Sequence, residues 1–113
     1  MTSTATAGLF AGSFDPPTLG HRDIIVRAAA LCTPLWIGIG RNPHKRPMLT
    51  IDTRLELLRA ECAAGGLAAE QVRVAAFDGA TVHFARAQGL RVLIRGLRGS
   101  GDLNAERGMA EVN

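Results

Sequence analysis

Aromatic residues are scarce in this sequence of 113 residues: they make up 4% of it, and tyrosine is absent. Proteins that bind single-stranded nucleic acid stack successive bases on aromatic side chains, so this class of protein is poorly supported. No apolar run reaches the roughly 18 residues that a membrane-spanning helix requires. The sequence therefore predicts neither a nucleic-acid partner nor a membrane partner.

Cysteine is equally sparse, with two residues, Cys32 and Cys62. They form no C-x-x-C pair, and no histidine stands at metal-ligand spacing from either, so no metal site built from protein ligands is expected. The amino-terminal stretch MTSTATAGLFAG lacks the charged start and long apolar stretch of a secretory signal. Reduced, buried thiols and a cytoplasmic location are the resulting expectations.

Positive charge is in small excess, with 13 lysines and arginines against 10 acidic residues. It is concentrated in two stretches, RNPHKRP (residues 41–47) and RVLIRGLR (residues 91–98). Local positive potential of this kind attracts anionic ligands. The charge pattern therefore suits a phosphorylated small molecule as well as nucleic acid.

Apolar stretches alternate with helical patterns along the chain, and there are no internal repeats. The spacing predicts strands at 6–12, 35–40, 72–77 and 91–96, helices at 19–32, 51–64 and 80–88, and weak helix over 102–113. Such alternation predicts a single α/β domain over residues 1–113, with a Rossmann-like parallel sheet and helices on both faces. The charges of RLELLRAE in the second helix are interpreted as a solvated face.

Polar features follow each predicted strand at its carboxyl end. They are Gly12-Ser13, Arg41 to Arg46, Asp78-Gly79 and Arg95 to Arg98. Because α/β sheets bind their ligands at the carboxyl ends of the strands, these four loops are expected to converge on one site. Two of the loops are basic, which favours an anion.

The stretch GSFDPPTLGH, residues 12–21, joins the first strand to the first helix. Its small residues let a ligand approach the backbone, and the helix amino terminus offers N–H groups and a positive dipole to an anion. Ser13 adds a hydroxyl and His21 an imidazole donor, whereas Asp15, which precedes a proline, is assigned a turn role. The stretch predicts contact with a phosphate group.

Three motifs in register resemble those of nucleotidylyltransferases. Thr18 to His21 matches the [HT]-x-G-H signature of that superfamily, and together with RNPHKRPMLT and VLIRGLRGSGD it is similar to the bacterial phosphopantetheine adenylyltransferase family. The resemblance covers residues 8–106. It implies the nucleotidylyltransferase fold, transfer of AMP from ATP to 4′-phosphopantetheine, Mg²⁺ acting with ATP, and a homohexamer.

The resemblance also assigns roles to individual residues. The catalytic residues that it implies are His21, Lys45 and Ser13. The phosphopantetheine-binding residues that it implies are Ser13, Lys45, Thr81 and Arg95. The ATP-binding residues that it implies are Ser13, Phe14, His21, Gly96, Leu97, Arg98 and Glu106. Ser13 stands where the family commonly has threonine, so the hydroxyl is retained.

The chemistry of the implied reaction agrees with these residue types. A phosphomonoester is largely dianionic at neutral pH, so it can attack the α-phosphorus of ATP without a general base. The sequence offers no evident nucleophile with an adjacent base. What the reaction requires is positive charge and hydrogen-bond donors around a crowded anionic centre.

Two departures from the family pattern leave alternatives open. Relatives usually continue into a serine-rich segment near I-S-S-S, so the chain is expected to lack the usual C-terminal portion. The tail DLNAERGMAEVN stands where relatives have an aromatic-rich helix near F-E-Y-E, and Gly108 weakens its predicted helix by about 1 kcal/mol. The alternatives are an adenylyltransferase acting on nicotinate mononucleotide, a non-catalytic nucleotide-binding remnant, and a catalytic fragment of a synthetase.

Overall fold

Strands and helices alternate in the computed structural model, which describes residues 6–41, 43–44, 46–96 and 103–107. The strands are β1 (Thr6–Gly12), β2 (Cys32–Gly40), β3 (Val72–Phe77), β4 (Val92–Gly96) and β5 (Leu103–Arg107). The helices are α1 (Leu19–Ala29), α2 (Ile51–Ala64) and α3 (Thr81–Ala87). The predicted α/β alternation is confirmed.

The strands form a five-stranded sheet in the order β3-β2-β1-β4-β5. The first four are parallel, and β5 runs antiparallel to β4. In the register of the sheet, Gly12 pairs with Ile39 and Gly40 pairs with Phe77, so β1, β2 and β3 end close to one another. The loops that leave these strands therefore share the carboxyl edge of the sheet, where ligands of such folds bind.

Both faces of the sheet are covered by helices, as the sequence predicts. Side chains alternate between the faces along each strand, so Phe10 faces α1 and α2 whereas its neighbour Leu9 faces α3. The larger cluster includes Ile25, Leu35, Ile37, Ile39 and Leu58. The smaller cluster joins Leu9 to Ala85, Leu90 and Leu93. Burial on both faces explains why the parallel strands are apolar almost throughout.

The starts of the helices follow from their capping residues. Thr18 caps α1 by accepting the backbone N–H of His21, and Thr50 caps α2 by accepting the N–H of Thr53. The helix α3 has seven residues and begins after Ala80, without a side-chain cap. Of the three helices, α3 is thus the least anchored at its amino terminus.

Three predicted elements differ clearly from the structure. The helix predicted over 19–32 ends at Ala29, and the strand predicted over 35–40 already begins at Cys32, which pairs with Thr6. Residues 103–107 of the predicted weak helix form β5, because pairing along the open edge of β4 outweighs the modest helix propensity of this stretch. The rest of that tail lies outside the described residues.

The two cysteines, Cys32 and Cys62, are buried, as expected. Within the part of the chain that the structure describes, none of the helices is both long and apolar enough to span a membrane.

Candidate active site

The loop between β1 and α1 has an unusual backbone at Phe14. Its φ angle is 48°, in the left-handed region that side chains other than glycine seldom adopt. The Phe14 ring is 2% exposed and packs edge-on against Phe10 and His21, with ring centroids 5.3 and 4.8 Å away. This burial stabilises a conformation that would otherwise cost on the order of 1 kcal/mol, and it fixes the turn beside Ser13.

His21 lies in the first turn of α1 and is held by a reciprocal cap with Thr18. The backbone N–H of Thr18 donates to Nδ1 of His21 at 2.9 Å, and the N–H of His21 donates to Oγ1 of Thr18 at 3.2 Å. Because Nδ1 accepts a hydrogen bond, this pattern assigns the proton of the neutral ring to Nε2. The imidazole therefore presents an Nε2–H donor at the positive end of the helix dipole.

The pKa of His21 is lowered from its usual 6.5. The main cause is burial of the ring, which disfavours the charged form, and the negative charge of Glu61 opposes this to a smaller extent. The Thr18 N–H donating to Nδ1 also favours the neutral ring, since a protonated Nδ1 cannot accept it. His21 is therefore a neutral donor at physiological pH rather than a cation.

A cavity of about 430 Å³ opens between the loops that follow β1, β2 and β3. Its lining combines apolar and charged side chains and consists of Ser13, Asp15, Gly40, Arg41, Pro43, Pro47, Ile51, Arg54, Asp78 and Gly79. The volume suits a small organic ligand, which typically occupies roughly 300–1,000 Å³. The position agrees with the predicted convergence for the loops after β1, β2 and β3, whereas the loop predicted to join them after β4 lies outside the described residues from residue 97 onward.

Arg54 corrects the interpretation of RLELLRAE as a solvated face. Its side chain is 6% exposed and lines the cavity. Nη1 donates to the carbonyl oxygen of Ser13 at 2.9 Å, and Nε donates to that of Leu49 at 3.1 Å. A signal was present in the sequence, because Arg54, Leu58 and Cys62 are spaced by four residues and share the buried face of α2.

Asp15 does more than its assigned turn role. Its two carboxylate oxygens accept the backbone N–H groups of Met48 at 2.7 Å and of Leu49 at 2.8 Å. These residues lie 33 and 34 positions away, in the segment that leads into α2. Asp15 therefore joins two loops, and sequence spacing alone gives no sign of that contact.

Arg41 and Asp78 form an ion pair at the cavity, with Nη1 of Arg41 3.0 Å from Oδ2 of Asp78. Arg41 follows β2 and Asp78 follows β3, so the pair bridges two neighbouring loops. Both side chains are exposed, which limits the stabilisation that the pair provides to about 1 kcal/mol or less. The pair instead shapes one wall of the cavity.

Of the predicted site residues, the structure places Ser13 in the lining of the cavity, whereas Phe14, His21 and Thr81 are outside that lining. Ser13 lines the cavity, and His21 lies on the helix that begins at the end of the same loop. The Phe14 side chain is buried in the core, so a contact with ATP would have to come from its backbone. Thr81 is the first residue of α3, two positions after the cavity residue Gly79.

The remaining predicted site residues lie at the end of β4, in β5 or outside the described residues. Lys45, Leu97 and Arg98 lie outside the described residues. Arg95 and Gly96 end β4, and Glu106 lies in β5, so their backbones border the same sheet. The parallel run of β4 beside β1 directs residues 95 and 96 toward the carboxyl edge that carries the cavity.

The described residues do not form a protein cage for a metal ion: none of their His, Cys, Asp and Glu side chains come together in groups of three or more. The carboxylates nearest the cavity are already bonded, Asp15 to two backbone N–H groups and Asp78 to Arg41. The described side chains around the cavity therefore offer no ready-made set of metal ligands.

A T-x-G-H helix start beside a cavity at the carboxyl edge of a parallel sheet defines a nucleotidylyltransferase type of protein. The model of the cytidylyltransferase-like family matches residues 9–111. The chain belongs to the cytidylyltransferase-like family, and its relatives confirm the resemblance to phosphopantetheine adenylyltransferases that its motifs indicate.

Three relatives named phosphopantetheine adenylyltransferase illustrate the similarity. The protein of Lachnoclostridium phytofermentans is 44% identical over 106 residues, which cover 94% of this chain and 63% of the relative. That of Beijerinckia indica subsp. indica is 44% identical over 108 residues, covering 93% and 64%. That of Acidiphilium cryptum is 41% identical over 114 residues, covering 100% and 68%. The chain thus spans about two thirds of the length of the relatives that it matches.

Proposed function

We infer that the protein transfers the adenylyl group of ATP to 4′-phosphopantetheine, which yields dephospho-coenzyme A and pyrophosphate. In this reaction a phosphate oxygen of the acceptor bonds to the α-phosphorus of ATP, and the bond from that phosphorus to the β-phosphate oxygen breaks. The observation that carries the proposal is the placement of Ser13 and the His21 helix start at one strand end beside a cavity, within a chain whose relatives bear this name.

The cavity suits the acceptor. The side chains of Pro43, Pro47 and Ile51 would offer apolar contacts to a pantetheine arm, and Ser13, which also lines the cavity, carries a hydroxyl that would donate to the phosphate. The roles of Lys45, Arg95 and Thr81 in binding phosphopantetheine complete the proposal and rest on the resemblance. The positive charge of Lys45 or of Arg95 would balance the negative charge of the acceptor phosphate.

The helix start suits ATP. The neutral imidazole of His21 would donate from Nε2 to a phosphate oxygen, and the dipole of α1 favours negative charge at the same point. The nucleotide roles of Phe14, Gly96, Leu97, Arg98 and Glu106 are part of the same proposal. Mg²⁺, bound to the triphosphate, would neutralise charge on the oxygens that leave with pyrophosphate.

No proton acceptor is needed for the attack, because the acceptor phosphate is largely dianionic at neutral pH. The chain's residues would act by holding the two anionic substrates in line and by stabilising charge as it develops. Removing one donor of this kind typically lowers the rate by about a hundredfold or more. A homohexamer and a cytoplasmic location also belong to the proposal and rest on the resemblance.

The test is pyrophosphate release by the full chain with MgATP and either phosphopantetheine or nicotinate mononucleotide. We expect pyrophosphate release from MgATP with phosphopantetheine and none with nicotinate mononucleotide. In His21→Ala, turnover should fall by about a hundredfold. The matched control is His83→Ala, since His83 is an exposed histidine in α3. Release with nicotinate mononucleotide but not with phosphopantetheine would show that phosphopantetheine is not the acceptor.

Thermal shift separates the remaining alternative. Ligands that bind the folded state raise the melting temperature by mass action. A shift with dephospho-coenzyme A without pyrophosphate release would identify a binding protein that does not turn over. Size-exclusion chromatography with light scattering tests the proposed hexamer.

A further inference from the structure

We propose that Arg54 and Asp15 are positioning residues that set the separation of the two loops on either side of the cavity. Asp15 accepts the backbone N–H of Leu49, and Arg54 donates to its carbonyl oxygen. We call these three residues the Leu49 clamp. The inference rests on the proposed function, because it assigns the clamp to the alignment of the two substrates. Neither Arg54 nor Asp15 belongs to the residues that the family motifs assign to substrate binding.

The clamp consists of four hydrogen bonds between three segments. Asp15, in the loop after β1, accepts the N–H groups of Met48 and Leu49. Arg54, on α2, donates to the carbonyl oxygens of Leu49 and Ser13. Both backbone polar groups of Leu49 are therefore held by side chains, one from each side.

The four hydrogen bonds of the clamp are charge-assisted. Each joins a charged side chain to a backbone group, and their lengths run from 2.7 to 3.1 Å. Arg54 is 6% exposed, so little water competes for its guanidinium. Charge-assisted hydrogen bonds are roughly twice as strong as neutral ones.

The clamp connects the two parts of the site that the reaction must align. One of its loops carries Ser13, and the other, with Met48 and Leu49, directly follows the basic stretch 41–47 in the sequence. The cavity between them is lined by Asp15 and Arg54 themselves. For in-line transfer between two bound anions, a displacement of about 1 Å can lower the rate by about a hundredfold.

The fork of a guanidinium is what allows one side chain to reach both carbonyl groups. Nε serves Leu49 and Nη1 serves Ser13, two acceptors that lie 36 residues apart in the chain. A lysine keeps the charge but presents one nitrogen, so it can retain a single bond of this geometry at most. Arg54→Lys is therefore a graded variant between the wild type and Arg54→Met.

The experiment compares Arg54→Met, Arg54→Lys, Asp15→Ala and the double variant Asp15→Ala/Arg54→Met in the full chain. The matched control is Arg59→Met, one and a half turns further along α2, where the arginine is exposed. Turnover is measured per folded molecule, with the folded fraction taken from a urea titration at the assay temperature. This normalisation separates misalignment of the loops from simple loss of protein.

We expect Arg54→Met and Asp15→Ala each to lower kcat by about ten- to a hundredfold, with a smaller change in KM for ATP. Because both residues hold the same pair of loops, the double variant should lose no more than about threefold beyond the worse single variant. Arg54→Lys should recover part of the loss, and Arg59→Met should match the wild type. Losses that multiply in the double variant, or a normal kcat in Arg54→Met, would overturn the proposal.

A second measurement judges the clamp whether or not the protein turns over the proposed substrates. Asp15 accepts the N–H groups of Met48 and Leu49, so their amide hydrogen exchange should accelerate by about tenfold or more in Asp15→Ala and stay unchanged in Arg59→Met. Unchanged exchange in Asp15→Ala would refute the clamp. Absence of pyrophosphate release by the wild type, with accelerated exchange in the variant, would refute the proposed function and leave the clamp in place.

Discussion

Replacement of Thr18 by alanine should weaken the fold and the site together. The change removes Oγ1, which accepts the N–H of His21 at 3.2 Å and lies 3.2 Å from its Nδ1. The loss of a threonine N-cap typically costs about 1 kcal/mol. Thr18 is exposed, so no core cavity adds to this cost. For a domain of this size, the melting temperature should fall by about 4 °C.

Two variants make the prediction specific. Thr18→Ser retains the accepting oxygen and should melt within about 1 °C of the wild type. Thr50→Ala removes the equivalent bond of α2, which is 3.1 Å long, and should lower the melting temperature by a similar amount. Pyrophosphate release should fall in Thr18→Ala more than in Thr50→Ala at equal stability, because of these two threonines it is Thr18 that contacts the imidazole of His21.

Calorimetry and steady-state turnover at 25 °C, roughly 20 °C or more below a typical melting transition, are the assays. A serine variant as unstable as the alanine variant would show that the methyl group, and not the oxygen, is what matters at residue 18. A normal melting temperature in Thr18→Ala would refute the reciprocal cap itself.

Three further predictions concern pH, packing and the cavity wall. Burial lowers the pKa of His21, so its contribution to stability is complete above pH 6.5 and is lost as the pH falls through the folded-state pKa. The wild type should therefore lose more stability than His21→Gln between pH 7 and 5 in urea titrations; parallel curves would contradict the shift. Gly8→Ala places a methyl carbon 2.5 Å from Sγ of Cys32, which should cost about 1–3 kcal/mol, partly recovered by adding Cys32→Ala. If adding Cys32→Ala restores no stability to Gly8→Ala, the contact with Sγ of Cys32 is not the cause of the loss. Arg41→Gln should change the free energy of unfolding by less than about 1 kcal/mol, because its ion pair with Asp78 is exposed. A larger loss in chemical denaturation would mean that the pair is structural.

Much of the fold could be predicted from local sequence patterns. The bounds of β1, α2 and β3 agree with prediction, because each is an apolar or amphipathic stretch bounded by turn residues such as Gly65 and Gly66. The end of α1 was misplaced, since Leu31 and Cys32 continue its helical spacing although the chain has already turned into β2. The strand β5 was missed because its residues favour helix locally, and only pairing with β4 makes them a strand.

In the candidate site too, local sequence patterns predict some residues and miss those that depend on distant contacts. The place of Ser13 and His21 followed from a strand end and a helix start, both of which are local features of the chain. The roles of Asp15 and Arg54 depend on contacts with residues 33 to 41 positions away, which no local pattern reveals. The left-handed backbone of Phe14 was likewise hidden, because it results from the packing of its ring.

The short helix α3 lies outside the cavity that its preceding loop helps to line. It has seven residues and no side-chain cap, and it covers the face of the sheet with the smaller apolar cluster. Gly79, which borders the cavity, lies two residues before the first residue of this helix, and none of the described residues that line the cavity belongs to α3 itself. Sequence changes within α3 should therefore alter the packing of that sheet face and leave the described cavity lining intact. This helix can diverge in sequence more freely than α2, which supplies Ile51 and Arg54 to the lining.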